Sequence, residues 1–221
     1  MDFIHDLKEA FEALALPQNA RPMEAYMKNR FPFLGIKTTE RRTVFRELLK
    51  RHKGEISQHA RAISQELWAL PQREYHYCAV EVFIEATKKG FDKGDISLFE
   101  KMIITNSWWD TVDVIAKYLV GGHLKQFTEM REKVMEKFSS SGNMWLNRTA
   151  ILFQLGYKKE TNAALLFREC DKHKGSKEFF IRKAIGWALR EYAKTNPEAV
   201  KSFVKMAGLS PLSEREALKN L

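Results

Sequence analysis

Trp145-Leu146-Asn147-Arg148-Thr149-Ala150-Ile151-Leu152 and Phe179-Phe180-Ile181-Arg182-Lys183-Ala184-Ile185-Gly186 are two copies of one pattern. Each sets an aromatic residue three positions before an arginine and continues with x-Ala-Ile. Glu74-Tyr75-His76-Tyr77-Cys78-Ala79-Val80 is an earlier, looser copy. Aligning the copies superposes Arg42, Tyr77, Asp113, Arg148 and Arg182 at a period of about 35 residues. That period belongs to helix-pair repeats of the HEAT, armadillo or TPR kind. One helix pair cannot bury its apolar face alone, so pairs stack and enclose a concave surface. The expected fold is all-α: a HEAT/armadillo-like helical-repeat solenoid of about six helix pairs with a concave basic face. A single domain over residues 1–221 is expected.

Outward from the repeats, a 3.6-residue apolar period runs through nearly the whole chain. Asp2 to Ala15 is amphipathic, with Phe3, Leu7, Phe11 and Leu14 on one side. Further helices are expected over Thr39–His52, Ile56–Leu70, Glu74–Lys89, Ile96–Thr105, Trp108–Val120, Leu124–Ser139 and Met144–Leu155. The last are Asn162–His173, Lys177–Thr195, Pro197–Ala207 and Ser213–Leu221. Pro71 is placed in the first turn of the helix that follows it, where its missing N–H costs nothing. No alternating strand pattern bounded by hairpin turns is present.

Composition narrows the class. Hydrophobic residues make up 44% and aromatics 12%, enough for a well-filled core. No run of about 18 apolar residues is present, so no membrane span is expected. Met1-Asp2-Phe3-Ile4-His5-Asp6 lacks the basic-then-apolar start of a secretion signal. Cys78 and Cys170 form no CxxC and read as reduced, buried thiols in a cytoplasmic protein. Lysine and arginine number 37 against 28 acids, a net charge of +9. The natural partners of such a surface are polyanions, nucleic acid first and anionic lipid second.

Several chemistries lack their motifs. The six histidines are dispersed, with no HExxH and no Cys/His cluster, so no metal is expected. There is no GxxxxGK, GxGxxG or GxSxG, so neither a nucleotide cofactor nor a serine nucleophile is indicated.

Ser107-Trp108-Trp109-Asp110-Thr111-Val112-Asp113 is the stretch richest in chemistry. Ser107 and Asp110 read as a helix start, with the serine oxygen capping backbone N–H groups. Trp109 and Asp113 then lie one turn apart on the same face. An electron-rich ring beside an anion suits a ligand that becomes positively charged. The plainer reading is a helix that buries its tryptophans and leaves Asp113 at the surface. In the repeat register Asp113 is the lone acid in a column with Arg42, Arg148 and Arg182. It is explained as a chemical group or as a salt-bridge anchor for Arg148.

Two basic clusters carry interleaved aromatics. Tyr26-Met27-Lys28-Asn29-Arg30-Phe31 precedes Lys37-Thr38-Thr39-Glu40-Arg41-Arg42, and Phe179 to Tyr192 carries Arg182, Lys183, Trp187 and Arg190. Each suits phosphate contacts and equally a solvated helix face. Gly186 permits close approach of a ligand or a backbone.

Taken together these segments resemble the AlkD-like DNA glycosylases, the HEAT-like-repeat alkylpurine glycosylases. The resemblance covers essentially the whole chain. It rests on Pro22-Met23-Glu24-Ala25-Tyr26-Met27-Lys28-Asn29, Phe33-Leu34-Gly35-Ile36, the Ser107–Asp113 stretch, Trp145 to Gln154, and Lys177 to Tyr192. It implies an all-helical solenoid that holds duplex DNA and hydrolyses the N-glycosidic bond of cationic N3- and N7-alkylated purines. By the same resemblance Trp109, Asp113 and Trp187 are the catalytic cleft residues, with Asp113 stabilising an oxocarbenium-like sugar and positioning water. Arg148 and Tyr26 are cleft residues that meet the DNA. Lys28, Arg41, Arg42, Arg182 and Arg190 join them as expected DNA-binding residues. The expected partner is duplex DNA containing alkylated purines, bound by a monomer, with no cofactor, metal or membrane. The rival expectation is a non-catalytic helical-repeat scaffold that binds DNA or protein.

Overall fold

The computed structural model describes residues 1–219 and 221, and the chain divides into two compact units, Met1–Gly90 and Phe91–Leu221. Among the described residues there is no strand, and the fold is an all-helical repeat. The expected helix Ser213–Leu221 includes Asn220, which lies outside the described residues.

The first unit contains α1 (Asp2–Leu14), α2 (Pro17–Tyr26), α3 (Thr38–Arg51), α4 (Lys53–Trp68) and α5 (Arg73–Ala86), with a 3-10 turn at Thr87–Lys89. The apolar face of α1 behaves as its periodicity requires. Phe3, Leu7 and Phe11 are fully buried, and α1 packs on α3 and α4. Each such side chain contributes about 1.5–3 kcal/mol of burial. Pro71 lies in the bend before α5, not in its first turn, because α5 begins at Arg73. The helix α2 has no counterpart in the sequence reading. Its apolar stripe is weak, and it carries one proline at its start and a second, Pro22, inside. Glu74 organises the loop that follows α2. Its buried carboxylate accepts backbone N–H bonds from Leu34, Gly35 and Ile36 at 2.9–3.2 Å.

The second unit contains α6 (Asp95–Ile104), α7 (Trp109–Val114), a π-helical segment (Ile115–Val120), α8 (Gly121–Gln126), α9 (Arg131–Ser139) and α10 (Met144–Leu152). It ends with α11 (Ala163–His173), α12 (Phe179–Ala193), α13 (Pro197–Ala207) and α14 (Pro211–Leu218). Helical structure thus continues past Val120, where a break was expected at Gly121-Gly122, and stops at Phe127. Tertiary packing overrides the low helix propensity of glycine here. A Cβ on Gly121 would lie 2.4 Å from the Phe153 carbonyl oxygen, and one on Gly122 would lie 2.6 Å from the Phe91 ring. The glycines let this helix close against its neighbours.

The repeat period is visible as contacts. Lys137 pairs with Glu100, Arg168 with Glu132, Lys172 with Glu136 and Lys125 with Glu160, each across 35–37 residues. The Tyr157 hydroxyl donates to the Gly121 carbonyl across 36 residues. These ties join neighbouring repeats within the second unit.

Candidate active site

Asp113 and Arg148 form a nearly buried ion pair in the second unit. Arg148 Nε donates to Asp113 Oδ1 at 2.7 Å and Nη2 to Oδ2 at 2.8 Å. The third edge of the guanidinium, Nη1, donates to the Phe180 carbonyl of α12. Only 5% of the Arg148 side chain and 13% of Asp113 are exposed. One arginine therefore ties α7, α10 and the start of α12 together.

Local sequence sets that geometry. Asn143 caps α10, its side chain accepting from the N–H groups of Trp145 and Leu146 at 2.9 and 3.3 Å. Asn147 donates to the carbonyls of Phe138, Ser139 and Ser141, which pins the start of α10 to the end of α9. Trp108, Trp145 and Phe180 then pack as a three-ring cluster with centroids 5.1–5.7 Å apart. The Phe180 ring of that cluster lies 5.8 Å from the Arg148 guanidinium, and the burial of the arginine strengthens its pair. Of the paired tryptophans, Trp108 is the buried one and Trp109 is only half-buried.

Ser107 does not cap α7. Its hydroxyl donates to the Ile103 carbonyl at 2.6 Å, and the N-cap position falls to Trp108. Asp110 instead accepts from the Thr111 N–H at 3.0 Å. A serine one residue too early turns back onto α6, since its hydroxyl finds a carbonyl four residues behind.

Burial raises the Asp113 pKa above the ordinary carboxylate value. The Arg148 hydrogen bonds and charge pull it back down, and Asp110 adds a smaller push upward. Desolvation and a bidentate cation thus oppose each other at one carboxylate.

Trp187 lies on α12 two turns beyond Phe180, about 10 Å along the axis and on the same face. It is half-buried against the second unit's core. Gly186 serves the backbone: a Cβ there would lie 2.4 Å from the Glu216 Cβ and 2.8 Å from the Ser213 carbonyl oxygen. Its close neighbour is α14. Arg190 pairs with Glu216 at 2.8 Å, and Lys183 reaches the same carboxylate at 2.9 Å. These two cations hold the Glu216 pKa down at about 2. Arg182 Nη2 donates to the Lys177 carbonyl at 2.9 Å.

In the first unit, Arg41 is buried. Its guanidinium meets Glu81 at 2.8 Å, the Cys78 sulfur at 3.5 Å and the face of Tyr77. Arg42 is exposed and reaches Glu81 at 3.5 Å. Tyr26 is 67% exposed at the end of α2. It lines a cleft of about 310 Å³ with Met23, Phe33, Arg41 and Tyr77. Lys28 is exposed in the left-handed backbone region, φ 58°, directly after that helix.

Both cysteines are free and buried. Burial pushes the Cys78 thiol up to about 12 and raises Cys170 as well, so neither is a thiolate nucleophile near neutral pH. Among the described residues no helix is long and apolar enough to cross a membrane.

Sequence reasoning did not single out Phe180, Glu81 or Glu216. Each is found by moving 32–40 residues from a named arginine or lysine, which is one repeat.

Comparison with known proteins agrees with this architecture. The sequence profile of the DNA alkylation repair enzyme family matches residues 7–221. A solved structure described as "Predicted DNA alkylation repair enzyme from Enterococcus faecalis" is 33% identical, with a TM-score of 0.83 over 94% of this chain and 96% of that one. The crystal structure of smu.31 from Streptococcus mutans UA159 is 20% identical, with a TM-score of 0.58 over 82% of this chain and 99% of its own, a likeness of fold alone. No curated protein matches. The chain belongs to the DNA alkylation repair enzyme family, which assigns it a role in DNA repair and DNA as its substrate.

Proposed function

We propose that the whole chain acts as one HEAT-like-repeat DNA glycosylase that releases N3- and N7-alkylated purines from duplex DNA. The observation that carries this reading is Asp113, a nearly buried carboxylate held by two hydrogen bonds, with Trp109 one turn before it. Alkylation at N3 or N7 leaves the purine cationic and already a good leaving group. No acid is needed to protonate it. Positive charge grows on the deoxyribose as the glycosidic bond breaks. A pre-oriented anion stabilises that charge most where water is excluded. Asp113 also accepts a hydrogen bond from the attacking water and orients it. Trp109 and Trp187 offer ring faces to the cationic sugar.

In this reading Arg148 acts first through Asp113, fixing its rotamer, and second as a positive charge beside the sugar-phosphate chain. Tyr26, Lys28, Arg42 and Arg182 supply DNA contacts. Arg41 and Arg190 each share a glutamate with a second cation, Arg42 and Lys183, so each cluster keeps a net positive charge. The chain works as a monomer in the cytoplasm, without a cofactor.

The test is incubation with a duplex carrying N7-methylguanine, with chromatography of released base. Free N7-methylguanine above the spontaneous rate is the expected result. Tight duplex binding with no release above that rate favours the scaffold reading.

A further inference from the structure

A second cleft, of about 520 Å³, opens in the first unit between the end of α3, the start of α4 and the end of α5. Its floor is apolar: Leu49, Ile56 and Ala86. Its rim is basic: Arg46, Lys50, Lys53 and Lys89, all exposed. No carboxylate among the described residues pairs with any of these four. The one acid on the rim, Glu85, is taken by Lys88 at 2.7 Å. This contrasts with the second unit, where Lys137, Arg168, Lys172 and Lys125 each meet a glutamate one repeat away.

We infer that this cleft docks an acidic protein segment, one that places a large apolar side chain on the floor and flanking Asp or Glu side chains on the rim. Volume and charge both argue for it. The cleft is within the range of sites that bury an organic side chain or ligand, roughly 300–1,000 Å³. Four unmatched cations repel one another and await an anion. A DNA duplex presents a phosphate-lined surface with no single apolar side chain to insert. It would set phosphates on the rim and leave Leu49, Ile56 and Ala86 wet, so it uses the charge but not the floor. An acidic peptide with a Leu or Phe anchor uses both, in the manner of apolar anchors ringed by polar contacts. The cleft lies apart from Asp113 in sequence and needs none of the residues assigned to base release.

The experiment uses the full chain and a fluorescein-labelled peptide in which Leu and Phe alternate with Asp and Glu. One control peptide replaces Leu and Phe with Ser, and another replaces the acids with Lys. Fluorescence anisotropy is expected to show saturable binding of the first peptide only. Two variants separate charge from shape. Lys50→Glu with Lys53→Glu reverses exposed rim charges, and Ala86→Phe fills the floor. Each is expected to weaken the peptide by at least roughly tenfold. Circular dichroism and duplex affinity should both be unchanged, and excess duplex should not displace the peptide. Absence of saturable binding overturns the proposal, as does equal affinity in the charge-reversed and filled variants. Displacement of the peptide by duplex, with loss of duplex affinity in the charge-reversed variant, would assign the face to DNA and overturn it equally.

Discussion

Asp113 and Arg148 face each other through two parallel hydrogen bonds, 2.7 and 2.8 Å long, from positions 35 residues apart. The fork geometry matches both carboxylate oxygens at once, which a lysine cannot do. The same pair that shapes the site therefore also joins two repeats, and its two roles separate under mutation.

Asp113→Asn keeps the shape and removes the negative charge. Single-turnover base release is expected to fall by on the order of 10²–10³, the usual loss for one transition-state charge contact. Duplex affinity should hold or rise slightly, because an anion facing phosphate is gone. Spontaneous depurination of the cationic base must be subtracted. Wild-type release by Asp113→Asn would make this acid a salt-bridge anchor only.

Arg148→Ala leaves Asp113 nearly buried with no counter-charge. Breaking a buried pair in this way costs about 3–5 kcal/mol. Chemical denaturation should show that loss, together with weaker binding to modified and unmodified duplex alike. Arg148→Lys keeps a cation without the fork. It should recover duplex binding more than it recovers base release, since only release needs the carboxylate held in one orientation.

The pH dependence of release follows from the raised pKa of Asp113. The carboxylate is protonated at a higher pH than an ordinary aspartate. The rate is therefore expected to decline on acidification through a value above 3.8, and Asp113→Asn should lack that limb. A single-turnover pH profile of both proteins checks it. An identical acid limb in the two would place the titrating group elsewhere.

Glu216 has the opposite sign. Lys183 and Arg190 hold its proton more weakly in the folded chain than in the unfolded one, with a folded pKa of about 2. Its contribution to stability is complete above 4.5, the ordinary glutamate value, and is lost as pH falls toward about 2. Thermal melts across this window should show a shallower acid decline for Glu216→Gln than for the wild type.

Gly186→Ala introduces a Cβ 2.4 Å from the Glu216 Cβ. The crowding forces α14 away from α12, at a cost of about 1–3 kcal/mol. A lowered melting temperature is expected. An unchanged one would show that α14 adjusts freely.

The repeat was the most legible feature of the chain. Aligning Trp145–Leu152 with Phe179–Gly186 set Asp113 beside Arg148 in register, and the two side chains touch. Helices with strong apolar stripes, such as Phe3-Leu7-Phe11 on α1, were readable for the same reason: burial imposes the period. Helix α2 was hidden because its two prolines outweigh a weak stripe. Gly121-Gly122 reads as a helix break because the groups that require those glycines, the Phe153 carbonyl for Gly121 and the Phe91 ring for Gly122, are distant in the sequence. Site residues that act through a main-chain carbonyl, as Phe180 does for Arg148, leave no mark in side-chain chemistry. The pairing of Arg41 with Glu81 and of Arg190 with Glu216 was invisible for a related cause. A lone arginine reads as a free cation until its partner helix is placed.

The carbonyl of Phe180 has a consequence for the order of events on the ribosome. A nascent chain emerges N-terminus first at about 5–20 residues per second. Asp113 and Arg148 can meet once α10 is out, yet the third edge of the guanidinium stays wet until α12 arrives. The pair is thus locked by a segment made well after both of its members. Chains truncated before α12 should carry the carboxylate and its arginine while lacking the lock that holds them.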